Sequence, residues 1–253
     1  MVMIIIFAVI ALTAIVIERL YPARPQPFFR TGFFTDSLHT VINILLRAGL
    51  SGFLAIAVTE LGRQFLPPGF FGVLTNQPVW LQFVVVVVVL DFIFYWTHRA
   101  KHRFQWWWRL HETHHSSEDL DWFSSVRFHP FEKILDRLIY LLPLAFLGAS
   151  DTALLALATL DATIASLAHS NSKIRMGPLI YFFVGPEMHA WHHSADPDRQ
   201  RHNFGNNLSV FDWIFGTAEL REGRPDHFGT ADPHYPQNHW LRQVFYSFRR
   251  EHR

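Results

Sequence analysis

The sequence predicts an all-α integral membrane bundle of about four membrane segments, closed on one side by a cytosol-facing helical cap that carries clustered histidines. Three observations lead there. Half of the 253 residues are hydrophobic, with 25 Phe and 9 Trp. Apolar runs of roughly bilayer length recur along the chain. Histidines spaced three and four residues apart follow directly after the third run, a spacing that puts side chains on one helical face.

The first segment, Met1 to Ile17, carries no charge until Glu18 and Arg19 and is close to the length of a bilayer core. With neither a basic leader nor a small-residue cleavage site, it reads as a retained anchor. Pro22 to Pro27 separates it from the rest. The second stretch, Leu38 to Leu61, encloses Arg47. The third, Val79 to Trp96, contains the run Val84 to Val89; β-branched residues favour strands, yet the uninterrupted length of the segment favours a membrane helix. The fourth region, Ile134 to Ala168, is broken at Gly148 to Asp151 and reads as a helical hairpin. The chain therefore divides into N-terminal spans and loops (1–78), a histidine-bearing catalytic part (79–217) and a cytosolic C-terminal tail (218–253).

Orientation follows from basic residues in short loops. Arg19, Arg24 and Arg30 follow the first span, whereas the loop from Gly62 to Pro78 holds only Arg63. The first loop is thus cytoplasmic. Alternation brings the third span out on the same side, at the cluster Arg99, Lys101, Arg103 and Arg109, so the histidines face the cytoplasm. Trp106, Trp107 and Trp108 stand where indoles mark the membrane boundary or pack inside.

The net charge is only +1, which gives no nucleic-acid partner any purchase. There is no cysteine, so disulfides, thiolate catalysis and Cys-ligated zinc or iron–sulfur sites are excluded within this chain. Any metal is held by His or carboxylate, and 16 histidines are present. They concentrate in His98-Arg-Ala-Lys-His102, His111-Glu-Thr-His114-His115 and His189-Ala-Trp-His192-His193, with His169 between. At this His content a chance HxxHH arises about 0.06 times per chain, and two far less often. Eight or nine imidazoles exceed the ligand set of one zinc, so two metals are the economical reading. All-imidazole ligation suits iron cycling between ferrous and ferric states, with zinc as a substitute in a purified sample.

His111-Glu112-Thr113-His114-His115 also matches HExxH, the single-zinc metalloprotease motif with Glu as general base. That reading leaves the other two clusters without a purpose. A lipid-binding protein that kept the metal site without catalysis is the other alternative.

The order HxxxH, HxxHH, HxxHH, with Asp91-Phe-Ile-Phe-Tyr-Trp-Thr-His98-Arg, Arg127-Phe-His129-Pro130, His169-Ser-Asn171, and Asn203-Phe-Gly205 leading to Asp212-Trp-Ile-Phe-Gly216-Thr217, resembles the fatty acid hydroxylase/sterol desaturase superfamily. The resemblance covers about Val79 to Thr217. It implies a helical membrane fold with a cytosol-facing di-iron centre that uses O₂ and electrons to hydroxylate or desaturate a lipid C–H bond. Carried over by position, the metal ligands are His98, His102, His111, His114, His115, His169, His189, His192 and His193. Where some relatives have a further His one turn before His169, this chain has Ala165.

Asp91 and Tyr95 precede His98 by seven and three residues and share its helical face, which makes them candidates to orient metal-bound imidazoles from behind. Asp161, eight before His169, is a weaker candidate of the same kind, and Glu112 pairs with a ligand or with Arg109. His129 and His202 are supporting or structural; His39, His227, His234, His239 and His252 read as surface or loop residues. Phe- and Trp-rich walls at the end of a membrane bundle imply a lipid substrate, whether sterol, fatty acyl, sphingoid or carotenoid. The chain has no dinucleotide-binding glycine motif, so electrons come from a separate ferredoxin, cytochrome or reductase. Nineteen of the 22 basic residues are Arg and no ER-retrieval sequence ends the chain, which favours a bacterial cytoplasmic membrane over the endoplasmic reticulum.

Overall fold

A computed structural model describes residues 2–65, 67 and 69–249. Met1, the side chains of Arg47 and Arg63, and residues His252 and Arg253 lie outside the described part. The described residues form helices and turns, with isolated β-bridges but no strand. The helices are α1 (Val2–Leu20), α2 (Phe33–Phe65), α3 (Val79–Arg103), α4 (Gln105–His115), α5 (Pro130–Leu147), α6 (Asp151–His169), α7 (Pro186–His192), α8 (Val210–Ile214) and α9 (Trp240–Tyr246). Short 3₁₀ turns lie at Trp122–Val126, Gly177–Tyr181 and Arg199–Arg201.

Among the described residues three helices, α1, α3 and α6, are long and apolar enough to cross a membrane, and Phe33–Leu46 of α2 is a shorter apolar stretch. In α1 the large apolar side chains face outward, Ile4 being 73% and Leu12 63% exposed, which suits a lipid environment rather than a protein core. The valine run is helical. It divides its faces: Val86 and Val87 are buried with Leu90, Leu147 and Leu157 where α3, α5 and α6 meet, while Val84 and Val88 point outward.

The hairpin of the fourth region is present as α5 and α6. Gly148 ends α5 in the left-handed region (φ 62°), and a Cβ there would collide with the backbone of Gly72, so only glycine fits. Ser150 caps α6 through Ala153 N–H. Between α3 and α4 the chain breaks at Phe104, which is extended (φ −100°, ψ 117°), and α4 turns back to pack on α3. That turn sets the first two histidine clusters face to face.

The C-terminal segment folds back over the outer side of α4: Tyr235 donates its hydroxyl to Thr113 Oγ1 (2.9 Å), and Gln243 bonds His39 across 204 residues (2.7 Å). His39 is therefore not a surface residue. It is fully buried, because α9 crosses α2 at that point and Trp240 packs on its ring. His227, His234 and His239 are exposed.

Candidate metal centre

Four helices bring nine imidazoles together. His98, His102, His111, His115 and His192 form one group, and His114, His169, His189 and His193 a second; within each group the donor nitrogens all lie within 4.8 Å of one another. All nine are buried except His102, which is partly so. The clusters split between groups: α4 sends His111 and His115 to one side and His114 to the other, as its 3.6-residue period dictates.

Tautomers decide what these nitrogens can do. A carbonyl or carboxylate oxygen only accepts, so any ring nitrogen bonded to one carries the proton. His98 Nδ1 donates to Phe204 O (2.8 Å), His192 Nδ1 to His202 O (2.7 Å) and His111 Nδ1 to Glu132 Oε1 (2.8 Å). In the second group His114 Nδ1 donates to Arg127 O (3.1 Å) and His169 Nδ1 to Ala165 O (2.8 Å). The Nε2 atoms of these neutral rings are then bare lone pairs. Yet His98 Nε2 lies 3.0 Å from both His111 Nε2 and His192 Nε2, and His114 Nε2 lies 3.3 Å from His169 Nε2.

Two lone pairs at that distance repel unless a cation sits between them. A proton is a poor candidate, because burial pushes His111 and His114 below their ordinary range and His192 down to about 3. A metal ion fits. With metal–nitrogen bonds of about 2.0–2.1 Å, neighbouring ligands stand about 3.0 Å apart at right angles and about 3.4 Å apart in a tetrahedron. His102 Nε2 and both ring nitrogens of His115 are buried without a hydrogen-bond partner, as expected of groups reserved for a metal.

Behind the clustered histidines lies a shell of hydrogen bonds that the sequence reveals only in part. Asp91 does not contact a ring; its carboxylate takes the backbone N–H of Asn207 (2.9 Å) and Leu208 (2.6 Å) and the Asn207 side chain. Asp161 accepts from the same Asn207 side chain. Thr217 donates its hydroxyl to Asp212 and therefore accepts from the Tyr95 hydroxyl (2.9 Å). Asp212 in turn takes the N–H of Phe204 and Gly205. These residues brace the loop whose carbonyls at His202 and Phe204 hold His192 and His98. The direct carboxylate partner of a clustered imidazole is Glu132, which also accepts a hydrogen bond from the buried Lys101 (2.8 Å); Lys101 is 2.7 Å from Asp136 as well.

The bracing loop turns on Asn203, whose φ of 60° lets the flanking carbonyls at 202 and 204 reach two different imidazoles, His192 and His98. Its amide donates to Met188 O and Glu219 O and accepts from Glu219 N–H. Asn203→Ala loses three side-chain hydrogen bonds, one buried and two part-buried, and an asparagine's tolerance of that φ, a cost of about 3 kcal/mol. Asn203→Gly recovers the backbone freedom, so its thermal midpoint in detergent is expected to fall less than that of Asn203→Ala. Equal losses would show that φ is not the constraint.

Glu112 turns away from the histidines. It accepts from Thr230 Oγ1 (2.6 Å) and pairs with Arg249 (3.0 Å) rather than Arg109. His129 caps α5, accepting from Phe131 N–H while Nε2 donates to Val244 O. The three tryptophans divide their roles: Trp106 is 58% exposed and stacked on Trp107, whereas Trp108 packs on His102 and His115.

Residues 83–217, just over half of the chain, match the family described as fatty acid hydroxylase. The chain belongs to the fatty acid hydroxylase family. All nine clustered histidines lie inside the matched region. Among relatives, the chain is 30% identical over 204 residues to an ornithine lipid hydroxylase of Rhizobium tropici, covering 79% of this chain and 62% of the relative. It is 30% identical to an alkylglycerol monooxygenase of Xenopus tropicalis (54% of this chain, 30% of the relative). It is 29% identical to a Delta(7)-sterol-C5(6)-desaturase of Nicotiana tabacum (54% and 51%). The chain thus spans less than two thirds of each of these family members. No solved structure matches it.

Proposed function

We propose that this protein is a membrane-bound di-iron oxygenase that hydroxylates or desaturates a C–H bond of a lipid. The observation that carries the metal reading is the set of facing, unprotonated Nε2 atoms in two separate groups. Family membership and relatives named as a lipid hydroxylase, a monooxygenase and a desaturase support the reaction class. Iron in both groups would supply O₂ activation, with electrons from a separate ferredoxin, cytochrome or reductase.

The chain's own contribution is positional. Backbone carbonyls at Arg127, Ala165, His202 and Phe204, together with Glu132, hold the Nδ1 protons of five of the nine rings and so aim the Nε2 lone pairs of those five inward. Burial of the rings excludes water and keeps them neutral, which is the form that binds metal. The relatives named for lipid substrates and the outward apolar face of α1 support a bilayer lipid as the substrate class.

A single-zinc protease is disfavoured by the direction of Glu112, which is bonded to Thr230 and Arg249 on the side away from the ligands. Cells with and without the protein, grown under ¹⁸O₂, test the reading: a lipid gaining one labelled oxygen, or losing two hydrogens, is expected. An unchanged lipid profile with metal-loaded protein present would favour the non-catalytic alternative.

The basic first loop and the cluster Arg99 to Arg109 support a histidine face turned to the cytoplasm, and the Arg-rich basic composition supports a bacterial cytoplasmic membrane. Because the chain has no cysteine, His227→Cys gives a single label site on an exposed loop. Labelling only after the cytoplasmic side is opened is expected; labelling of intact cells would invert the topology.

A further inference from the structure

The end of α1 holds a feature that the metal centre does not use. A cavity of about 280 Å³ opens between the last turn of α1, the proline-rich Pro22–Pro27 segment and Asn171. A single water needs only about 10–15 Å³ by the same measure, so the space suits a much larger occupant. Glu18 and Arg19, shared with a narrow cleft lined by Ile15, Phe28, Phe33 and Trp122, join the polar cavity to an apolar neighbour.

The polar lining carries both signs. Arg19 and Arg24 spend guanidinium protons on backbone carbonyls of Gln26, Pro225 and Asp226, and among the described residues neither has a carboxylate partner. Gln26 adds an amide donor, Nε2, that is buried without a partner while its Oε1 accepts from Asn171. On the same lining stand Glu18, which commits Oε1 to the N–H groups of Trp122 and Asn171 (2.8 Å each), and Asp121, whose Oδ1 already takes Arg30 (2.6 Å) and the N–H of Ser124 (2.8 Å), leaving Oδ2 for the cavity. Prolines 22, 25 and 27 fix the frame in advance of binding.

Position supplies the ligand class. Glu18 lies where the uncharged run of α1 stops, the depth at which lipid headgroups begin. Beside it Phe28, Phe29, Phe33 and Phe34 form a chain of edge and stacked contacts, with Phe29 64% and Phe34 73% exposed, an apolar lip continuous with the outward face of α1. The wall is tied to the catalytic side as well: Asn171 follows the ligand His169 by two residues, at most about 7 Å of chain.

We infer that this cavity binds the zwitterionic headgroup of a membrane lipid, an anionic phosphate or carboxylate meeting Arg19, Arg24 and the Gln26 amide and a primary ammonium meeting Glu18 and Asp121. Its acyl chains run along the phenylalanine lip. That the occupant is the substrate rests on the lipid-oxidation reading; that it binds does not.

Native mass spectrometry of the full chain in detergent tests it, with dilauroylphosphatidylethanolamine, dilauroylphosphatidylglycerol and free phosphoethanolamine as probes. The phosphatidylethanolamine is expected to bind about tenfold more tightly than the phosphatidylglycerol, which lacks the ammonium, and free phosphoethanolamine to bind far more weakly than either. Arg19→Gln should weaken the phosphatidylethanolamine about tenfold. Glu18→Gln keeps an acceptor for the two N–H groups and should abolish the preference between the two lipids. Iron content measured on the same samples should match the parent, which shows that the variants are folded. Equal binding of the two lipids, free headgroup binding as tightly as lipid, or no effect of Arg19→Gln would each overturn the assignment. Lipid binding as expected in a protein that never oxidises a lipid would overturn the oxygenase reading and leave this site standing.

Discussion

His192→Ala and His193→Ala are expected to insert in the membrane but to lose metal and all measurable lipid oxidation, whereas Glu112→Gln keeps both. His192 offers a lone pair 3.0 Å from that of His98, and His193 Nε2 is 3.1 Å from His189 Nε2, so each substitution opens a different one of the two groups. Losing a partner behind a ligand costs about 10–100-fold in metal affinity or activity, and losing the ligand itself should exceed that. Glu112 holds the C-terminal segment through Thr230 and Arg249, so its amide should cost some stability and little chemistry. Metal content and product per milligram, measured on each variant, decide the matter. Loss of activity in Glu112→Gln with activity retained in His193→Ala would restore the HExxH reading and sink the di-metal one.

The second large effect is expected at the buried chain His111, Glu132, Lys101, Asp136. Lys101 is 1% and Glu132 0% exposed, and breaking such a pair from one side costs about 3–5 kcal/mol because a charge is left without compensation. Lys101→Met strands two carboxylates and should be the more destabilising change. Glu132→Gln leaves Lys101 paired with Asp136 and retains an oxygen for His111, so it should be milder in stability. Its metal affinity should nevertheless fall about 10–100-fold, because the anion that polarises the His111 ring is gone. Lys101 and the His111 bond hold the Glu132 carboxyl well below its usual 4.5 despite burial. A depressed carboxyl contributes stability above that usual value and loses it as the pH falls below, so the parent should melt progressively lower under pH 4.5 and Glu132→Gln should show less of this slope. Thermal melts and metal titrations in detergent read both quantities; a Glu132→Gln protein that binds metal like the parent would remove Glu132 from the site.

The histidine clustering is legible in the sequence because helical spacing is a local property: three clusters of i, i+3 and i+4 imidazoles announce one shared face each. The membrane helices were legible for the same reason. The division of His111 and His115 from His114, and of His192 from His193, depends on how four helices approach one another, which no local pattern carries. Asp91 shows the limit most clearly. It lies on the face of His98, as periodicity required, but seven residues of rise carry it about 10 Å down the helix, where it meets the Asn207 loop instead of a ring. Glu132 was hidden because its partners Lys101 and His111 come from two other helices, and Lys101 looked like one of several basic residues at a membrane boundary. His39 was misplaced because its partner is Gln243, 204 residues away.

The most direct test of a two-metal centre is elemental analysis of protein expressed with ample iron and purified without chelators, quantified against amino-acid analysis. Two groups of converging imidazoles predict two iron ions per chain, falling toward one in His193→Ala. One zinc per chain, unchanged in His193→Ala and lost only in His111→Ala or His115→Ala, would contradict it.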